Sequence, residues 1–182
     1  MSDRCQSTRN RMTLIGAVHL FLTRRNDILL SRRANTGYYD GWWSVPAGHI
    51  EPGEPATTAM IREAHEEIGI TILDPDVLTL GHIMHRRSVD TDCTNSERVD
   101  FFYTLPCWLY NGNDFGEPVN REPRKCDRLG WFPINALPQD TVPYVRDAIT
   151  FSYHGRVYSE SGWGPPCPRC GSTGTSTSAV VA

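Results

Sequence analysis

Nowhere in its 182 residues does the chain hold an apolar run long enough to cross a bilayer, which excludes a membrane-spanning helix. Its first twelve residues, MSDRCQSTRNRM, are polar and lack the apolar stretch of a secretory signal, so a cytoplasmic location is expected. Charge of one sign is also scarce. A net charge of -3 gives no basis for nonspecific binding to a nucleic-acid polymer. No internal repeat is present. Cysteine is sparse and scattered, at Cys5, Cys93, Cys107, Cys126, Cys167 and Cys170. Only Cys167 and Cys170 form a CxxC pair, half of what a zinc ribbon needs, so zinc is not expected and the thiols read as free.

What is there is ordinary globular material, 39% hydrophobic and 21% charged, of a length that suits one domain with an appendage. Leu14–Thr23 is β-prone, Arg24-Arg25-Asn26-Asp27 reads as a turn, and Ile28–Arg33 as the returning strand of a hairpin. An aromatic loop, NTGYYDGW, leads to a short strand over Trp43–Ala47. Pro55–Ile68 has helical periodicity, with Ala56, Ala59, Met60, Ala64 and Ile68 facing a core and Gly69 as the cap. Further strands are expected over Val77–His85, Val99–Leu109 and Leu129–Phe132, with loops over Arg86–Arg98 and Asn111–Arg128. A short helix is expected from Ile134 to Pro138 and a final one over Val142–Phe151. Strands on either side of a buried helix indicate an α+β or α/β sandwich around a mixed sheet. The organisation expected is a flexible arm over 1–11, a domain over 12–158, and a disordered Ser/Gly/Thr-rich tail over 159–182.

The chemistry concentrates in GHIEPGEPATTAMIREAHEEIGI, from Gly48 to Ile70. Glu63, Glu66 and Glu67 follow i, i+3, i+4 spacing and share one helical face. Three crowded carboxylates repel one another unless a cation neutralises them, and hard cations such as Mg²⁺ take oxygen ligands. Gly48 allows close backbone approach to a metal or phosphate. Arg62 stays charged and can hold a neighbouring carboxylate in place. Glu54, further back in the loop, suits similar supporting work.

This cassette matches the Nudix box, GX5EX7REUXEEXGU, at Gly48, Glu54, Arg62, Glu63, Ala64, Glu66, Glu67, Gly69 and Ile70. The chain thus resembles a Nudix hydrolase over residues 12–150. The resemblance implies a mixed curved sheet between helices, in an α/β/α sandwich. It also implies Mg²⁺, with Mn²⁺ as an alternative, held by Glu63, Glu66 and Glu67. Ala47 stands where many members have the first glycine of a Gly-Gly pair, at a point where the family uses a backbone carbonyl as a metal ligand. One carboxylate, Glu63 or Glu67, would take the proton of the attacking water. Gly116–Glu122 (GEPVNRE) resembles the GEPxxxE of MutT-type enzymes, which implies a fourth carboxylate at Glu122. EPRKC, followed by Trp131, resembles the EPxKC…W of eukaryotic nucleotide pyrophosphatases.

Substrate contacts are expected outside the cassette. By resemblance to MutT-type enzymes Arg33, with Arg32 beside it, would contact phosphate. Tyr38, Tyr39, Trp42 and Trp43 precede the catalytic loop, where an aromatic face can stack a base. Alternation sends Trp42 and Trp43 to opposite sides, and Trp43 is taken as the pocket residue. His85-Arg86-Arg87 ends a strand and offers a cationic wall through Arg86. The expected substrate is a small pyrophosphate compound, foremost a nucleoside triphosphate in ordinary or modified form. Isoprenoid diphosphates, nucleotide sugars and a nucleotide-sensing role without catalysis stay open, as does a homodimer.

Overall fold

A computed structural model describes residues 13–89, 95–105 and 115–163. Among the described residues, eight strands and two α-helices run in the order β1 (Ile15–Arg24), β2 (Asp27–Arg33), β3 (Trp43–Ser44), β4 (Ala47–His49), α1 (Ala56–Ile68), β5 (Thr79–Val89), β6 (Asn95–Leu105), β7 (Cys126–Pro133), α2 (Pro143–Tyr153) and β8 (Tyr158–Ser161). The strands form a mixed sheet of order β3-β2-β1-β6-β5-β8, with β4 paired to β1 and β7 to β2. β1 and β6 run parallel, whereas β5 and β6 run antiparallel.

β1 explains why the sheet is covered on both faces. Val18, Leu20 and Leu22 pack with Ala59, Met60, Ala64 and Ile68 of α1, and Phe21 packs with Val145, Ala148 and Ile149 of α2. β2 divides likewise, with Leu29 on the α1 side and Ile28 and Leu30 on the α2 side. Two apolar faces on alternating residues require a helix on each, which is the α+β sandwich expected from the sequence.

The predicted helix over 55–68 forms as Ala56–Ile68, with Pro55 just before its first turn and Gly69 capping its end in the left-handed region (φ 72°). The strand predicted over Trp43–Ala47 breaks into β3 and β4 around Val45-Pro46, where proline has no N–H for a ladder and its carbonyl accepts from Leu20. Other expectations need correction. Polar stretches at Arg86–Val89 and Asn95–Arg98 are strand, not loop, because they pair with each other across β5 and β6. Cys126–Arg128 likewise joins β7 through pairing with β2. Ile134–Pro138 is a turn, its Ile134 N–H drawn to the Asn26 carbonyl. The tail boundary at Ser159 falls inside β8, which pairs in parallel with β5. The arm over 1–11, residues 164–182 with the CxxC pair, and 106–109 of the predicted strand lie outside the described residues.

Candidate active site

α1 projects its carboxylates from a fixed platform. Glu63 lies directly over Gly48 of β4. A Cβ built at that glycine would stand 1.9 Å from a Glu63 carboxylate oxygen, so only glycine leaves room for Glu63. Next along β4, the Ala47 N–H donates to Glu67 Oε2 at 2.9 Å. Arg62 clasps the rest of the cassette. It donates to both Glu54 oxygens at 3.0 and 2.9 Å, to Glu63 Oε1 at 2.7 Å, to Glu66 Oε2 at 3.3 Å and to the His49 carbonyl at 3.1 Å. These carboxylates hold the guanidinium's pKa far above its ordinary value, against the opposing effect of burial. Glu54 also accepts from the Glu51 N–H within the loop, and Arg62 first, with this N–H second, holds the Glu54 carboxyl below its usual range.

Glu122 arrives from far along the chain, and the docking is backbone chemistry. The last carbonyls of a helix lack partners within it. Here the Ile68 carbonyl accepts from Val119 N–H and the Glu67 carbonyl from Arg121 N–H, both at 2.9 Å. This ties the 119–121 segment to the C-terminus of α1 and brings Glu122 beside the helix carboxylates. Lys125 then donates to Glu122 Oε1 at 2.9 Å.

Electrostatics follow from the crowding. Burial pushes the Glu67 carboxyl up to about 8, with Glu63 and Glu122 adding to the rise and the Ala47 N–H opposing it. Burial also raises Glu63, and Arg62 resists. Among the described residues, no three His, Cys, Asp or Glu side chains are gathered tightly enough to form a finished metal cage. The donor set is nonetheless all oxygen. A buried carboxylate made this basic, with one backbone N–H as its hydrogen-bond partner and two carboxylates near it, fits a hard cation.

These groups line one cleft of about 680 Å³. Glu51, Glu63, Glu67, Glu122 and Lys125 contribute, with Ala47 and Gly48. Arg33, Tyr38, His19, Arg86, Arg98, His49 and Tyr144 line it too. Of the residues singled out in the sequence, Glu63, Glu67, Glu122, Ala47, Gly48, Arg33 and Arg86 meet here. Glu66 does not line the cleft; its side chain is 54% exposed at the edge of the Arg62 clasp. Arg33 is anchored by its own loop, donating to the Tyr38 carbonyl at 2.7 Å and to Thr36 Oγ1 at 3.1 Å.

Two substrate expectations are corrected. Trp43 is 7% exposed, packs edge-on against Phe132 and does not line the cleft. Its β3 position turns the ring into the α2 core, and Tyr38 and Tyr144 supply the aromatic lining. Arg32 is taken by Asp127 in a two-pronged pair, Nε and Nη2 at 2.7 and 2.6 Å, outside the cleft. Sequence reasoning also missed His19, Asp100 and Tyr144. A signal was present: His19 and Asp100 interrupt the apolar runs GAVHLFL and RVDFFY at positions where such strands are normally buried. Both are indeed buried, and Arg86 pairs with Asp100 through Nε. Burial alone would raise the Asp100 carboxyl, but His19 and Arg86 outweigh it and hold it below its usual value.

A mixed sheet clasped by two helices, with a carboxylate-bearing helix over a glycine strand, is the arrangement expected of a Nudix hydrolase. The chain belongs to the Nudix family: the family model described as NUDIX domain matches residues 13–150. It is 38% identical over 133 residues to an 8-oxo-dGTP diphosphatase of Escherichia coli K12, covering 73% of this chain and 90% of that one. It is 28% identical over 133 residues to an isopentenyl-diphosphate Delta-isomerase of Rhodobacter capsulatus, covering 71% and 74%. A MutT NUDIX hydrolase structure from Burkholderia pseudomallei superposes with a TM-score of 0.62 at 27% identity, covering 76% of this chain and 98% of that one. Enzymes of this family generally use divalent cations. Among the described residues, no helix is long and apolar enough to cross a membrane.

Proposed function

We propose that the protein hydrolyses a nucleoside triphosphate, in ordinary or modified form, to the monophosphate and pyrophosphate with the help of Mg²⁺. The observation that carries this reading is the likeness to the 8-oxo-dGTP diphosphatase over nine-tenths of that enzyme's length. The cleft supports it, with carboxylates on α1, in the loop after β4 and in the 119–125 segment, and arginines on β2, β5 and β6. A divalent ion held by oxygens of Glu63, Glu67 and Glu122 and by the Ala47 carbonyl, with Glu66 turning in from the edge of the Arg62 clasp, would neutralise pyrophosphate charge and acidify a bound water. Glu63 or Glu67 accepts the proton of the attacking water, and burial makes Glu67 the more basic of the two. Arg62 and Glu54 keep Glu63 over Gly48. Arg33 faces the substrate phosphates from β2.

A panel of nucleoside triphosphates, 8-oxo-dGTP, nucleotide sugars and isopentenyl diphosphate tests this, with products identified by chromatography. Monophosphate and pyrophosphate from a nucleoside triphosphate are expected, in the presence of Mg²⁺ alone. Cleavage restricted to isopentenyl diphosphate or a nucleotide sugar would overturn the assignment. Tight binding with no cleavage of any compound would turn it into a sensing role.

A further inference from the structure

β1, β5 and β6 bring a second polar cluster to the cleft, apart from the carboxylates. Asp100, fully buried on β6, receives Arg86 Nε from β5. His19 of β1 is 3% exposed, and its Nε2 stands 3.3 Å from Asp100 Oδ1, an ion-pair distance without hydrogen-bond alignment. Among the described residues, Asp100 Oδ1 and both His19 nitrogens have no hydrogen-bond partner. Arg86 is 5% exposed, and its guanidinium lies 3.9 Å from the centre of the Tyr144 ring. His19 in turn stacks on Phe102, with ring centres 4.5 Å apart.

A buried ion pair contributes little net stability, because desolvation offsets the attraction. An Arg–Asp pair kept at this depth is therefore poorly explained by folding alone. Arg86, His19 and Tyr144 all line the cleft, whereas Asp100 sits behind them and does not. Asp100 engages Nε, so the guanidinium's two Nη groups are the donors directed elsewhere. Arg98, the cross-strand neighbour of Arg86, lines the same wall. This wall thus presents donors in the planar fork that fits two adjacent acceptors on a ring edge. A 6-keto purine that is not oxidised at C8 offers such a pair, O6 and N7. A 6-amino purine places a donor at that position instead.

Building on the nucleotide reading above, we propose that Arg86 selects a 6-keto purine and that Asp100 is the positioning residue that fixes its guanidinium. The roles differ: Arg86 touches the base, and Asp100 acts through Arg86.

Calorimetric titration of the full chain with GMP, IMP and AMP tests this without requiring turnover. GMP and IMP are expected to bind at least about tenfold more tightly than AMP. Arg86→Lys keeps the charge but removes the fork, and should bring the three affinities together. Asp100→Asn should narrow the difference as well, which loss of general stability would not do. Arg86→Gln combined with Asp100→Asn removes both buried charges together and serves where a single variant unfolds. Equal affinities for GMP and AMP in the unsubstituted protein, or no purine binding, would overturn the proposal. So would an unchanged ratio in folded Arg86→Lys. Failure to hydrolyse any nucleoside triphosphate would overturn the function above and not this selectivity.

Discussion

Arg62 reaches four partners in two separate segments, and this density of contact sets what single substitutions should do around it. Glu67 is the most exacting case. It is the carboxylate whose basicity burial raises most clearly, and it faces the cleft. Glu67→Gln keeps the shape and the acceptor for the Ala47 N–H but cannot take a proton or a full metal bond. Turnover should fall by about 10²–10⁴-fold with the fold retained, read as kcat beside the circular dichroism spectrum. A kcat near that of the unsubstituted protein would end the role given to Glu67. Gly48→Ala tests geometry alone. Its Cβ would occupy the space of the Glu63 carboxylate, so Glu63 must swing away. Activity should fall at least about tenfold, since small misplacements at a reacting centre are costly. Full activity in Gly48→Ala would show that the position of Glu63 over β4 is unimportant.

Elements that depend on local pattern were legible in the sequence, and those that depend on distant pairing were not. α1 could be read because its periodicity, its cap at Gly69 and its carboxylates all lie within one continuous stretch. β8 could not, since Tyr158–Ser161 is a strand only because β5 offers it an edge. That docking hinges on His82, fully buried on β5, whose Nδ1 lies 2.7 Å from the Arg156 carbonyl and Nε2 2.8 Å from Ser159 Oγ. A carbonyl only accepts, so Nδ1 carries the proton and Nε2 accepts from the serine. Burial holds the His82 pKa below its ordinary 6.5. With the folded value depressed, its contribution is present above about 6.5 and is lost as pH falls through the folded pKa. Thermal midpoints should therefore drop between pH 7 and pH 5, and His82→Gln should flatten this part of the profile. His82→Ala should cost about 1–3 kcal/mol at neutral pH for each partner left buried and unpaired, measured by urea unfolding. An unchanged midpoint in His82→Ala would show that β8 is held by other contacts.

At the scale of the whole molecule, the cleft is assembled from β1, β2, β4, α1, β5, β6, the 119–125 segment, β7 and α2, and no window of sequence contains it. The Nudix box supplied one wall. The opposite wall, with Arg86, His19 and Tyr144 backed by Asp100, exists only once β1 lies between β4 and β6. Trp43 was misread for the same reason, because which face of β3 meets a core depends on α2. On the proposed function, this assembly makes stability depend on the cation assigned to the carboxylates. In the metal-free protein, the Glu67 pKa of about 8 lies above the unfolded value near 4.5. The folded state therefore binds the extra proton, and its stability is full below about 4.5 and declines as pH rises through 8. A divalent ion replaces that proton and removes the penalty. Mg²⁺ at about 100 times its dissociation constant should add about 2.7 kcal/mol. The gain in thermal midpoint should be larger at pH 8.5 than at pH 6, because fewer protons compete for the site. Scanning calorimetry in EDTA and in Mg²⁺ at matched ionic strength measures both effects, and Glu67→Gln should shrink the difference between the two pH values. Equal midpoints with and without Mg²⁺ at pH 8.5 would separate the carboxylate cluster from metal binding, leaving its crowding without a cause.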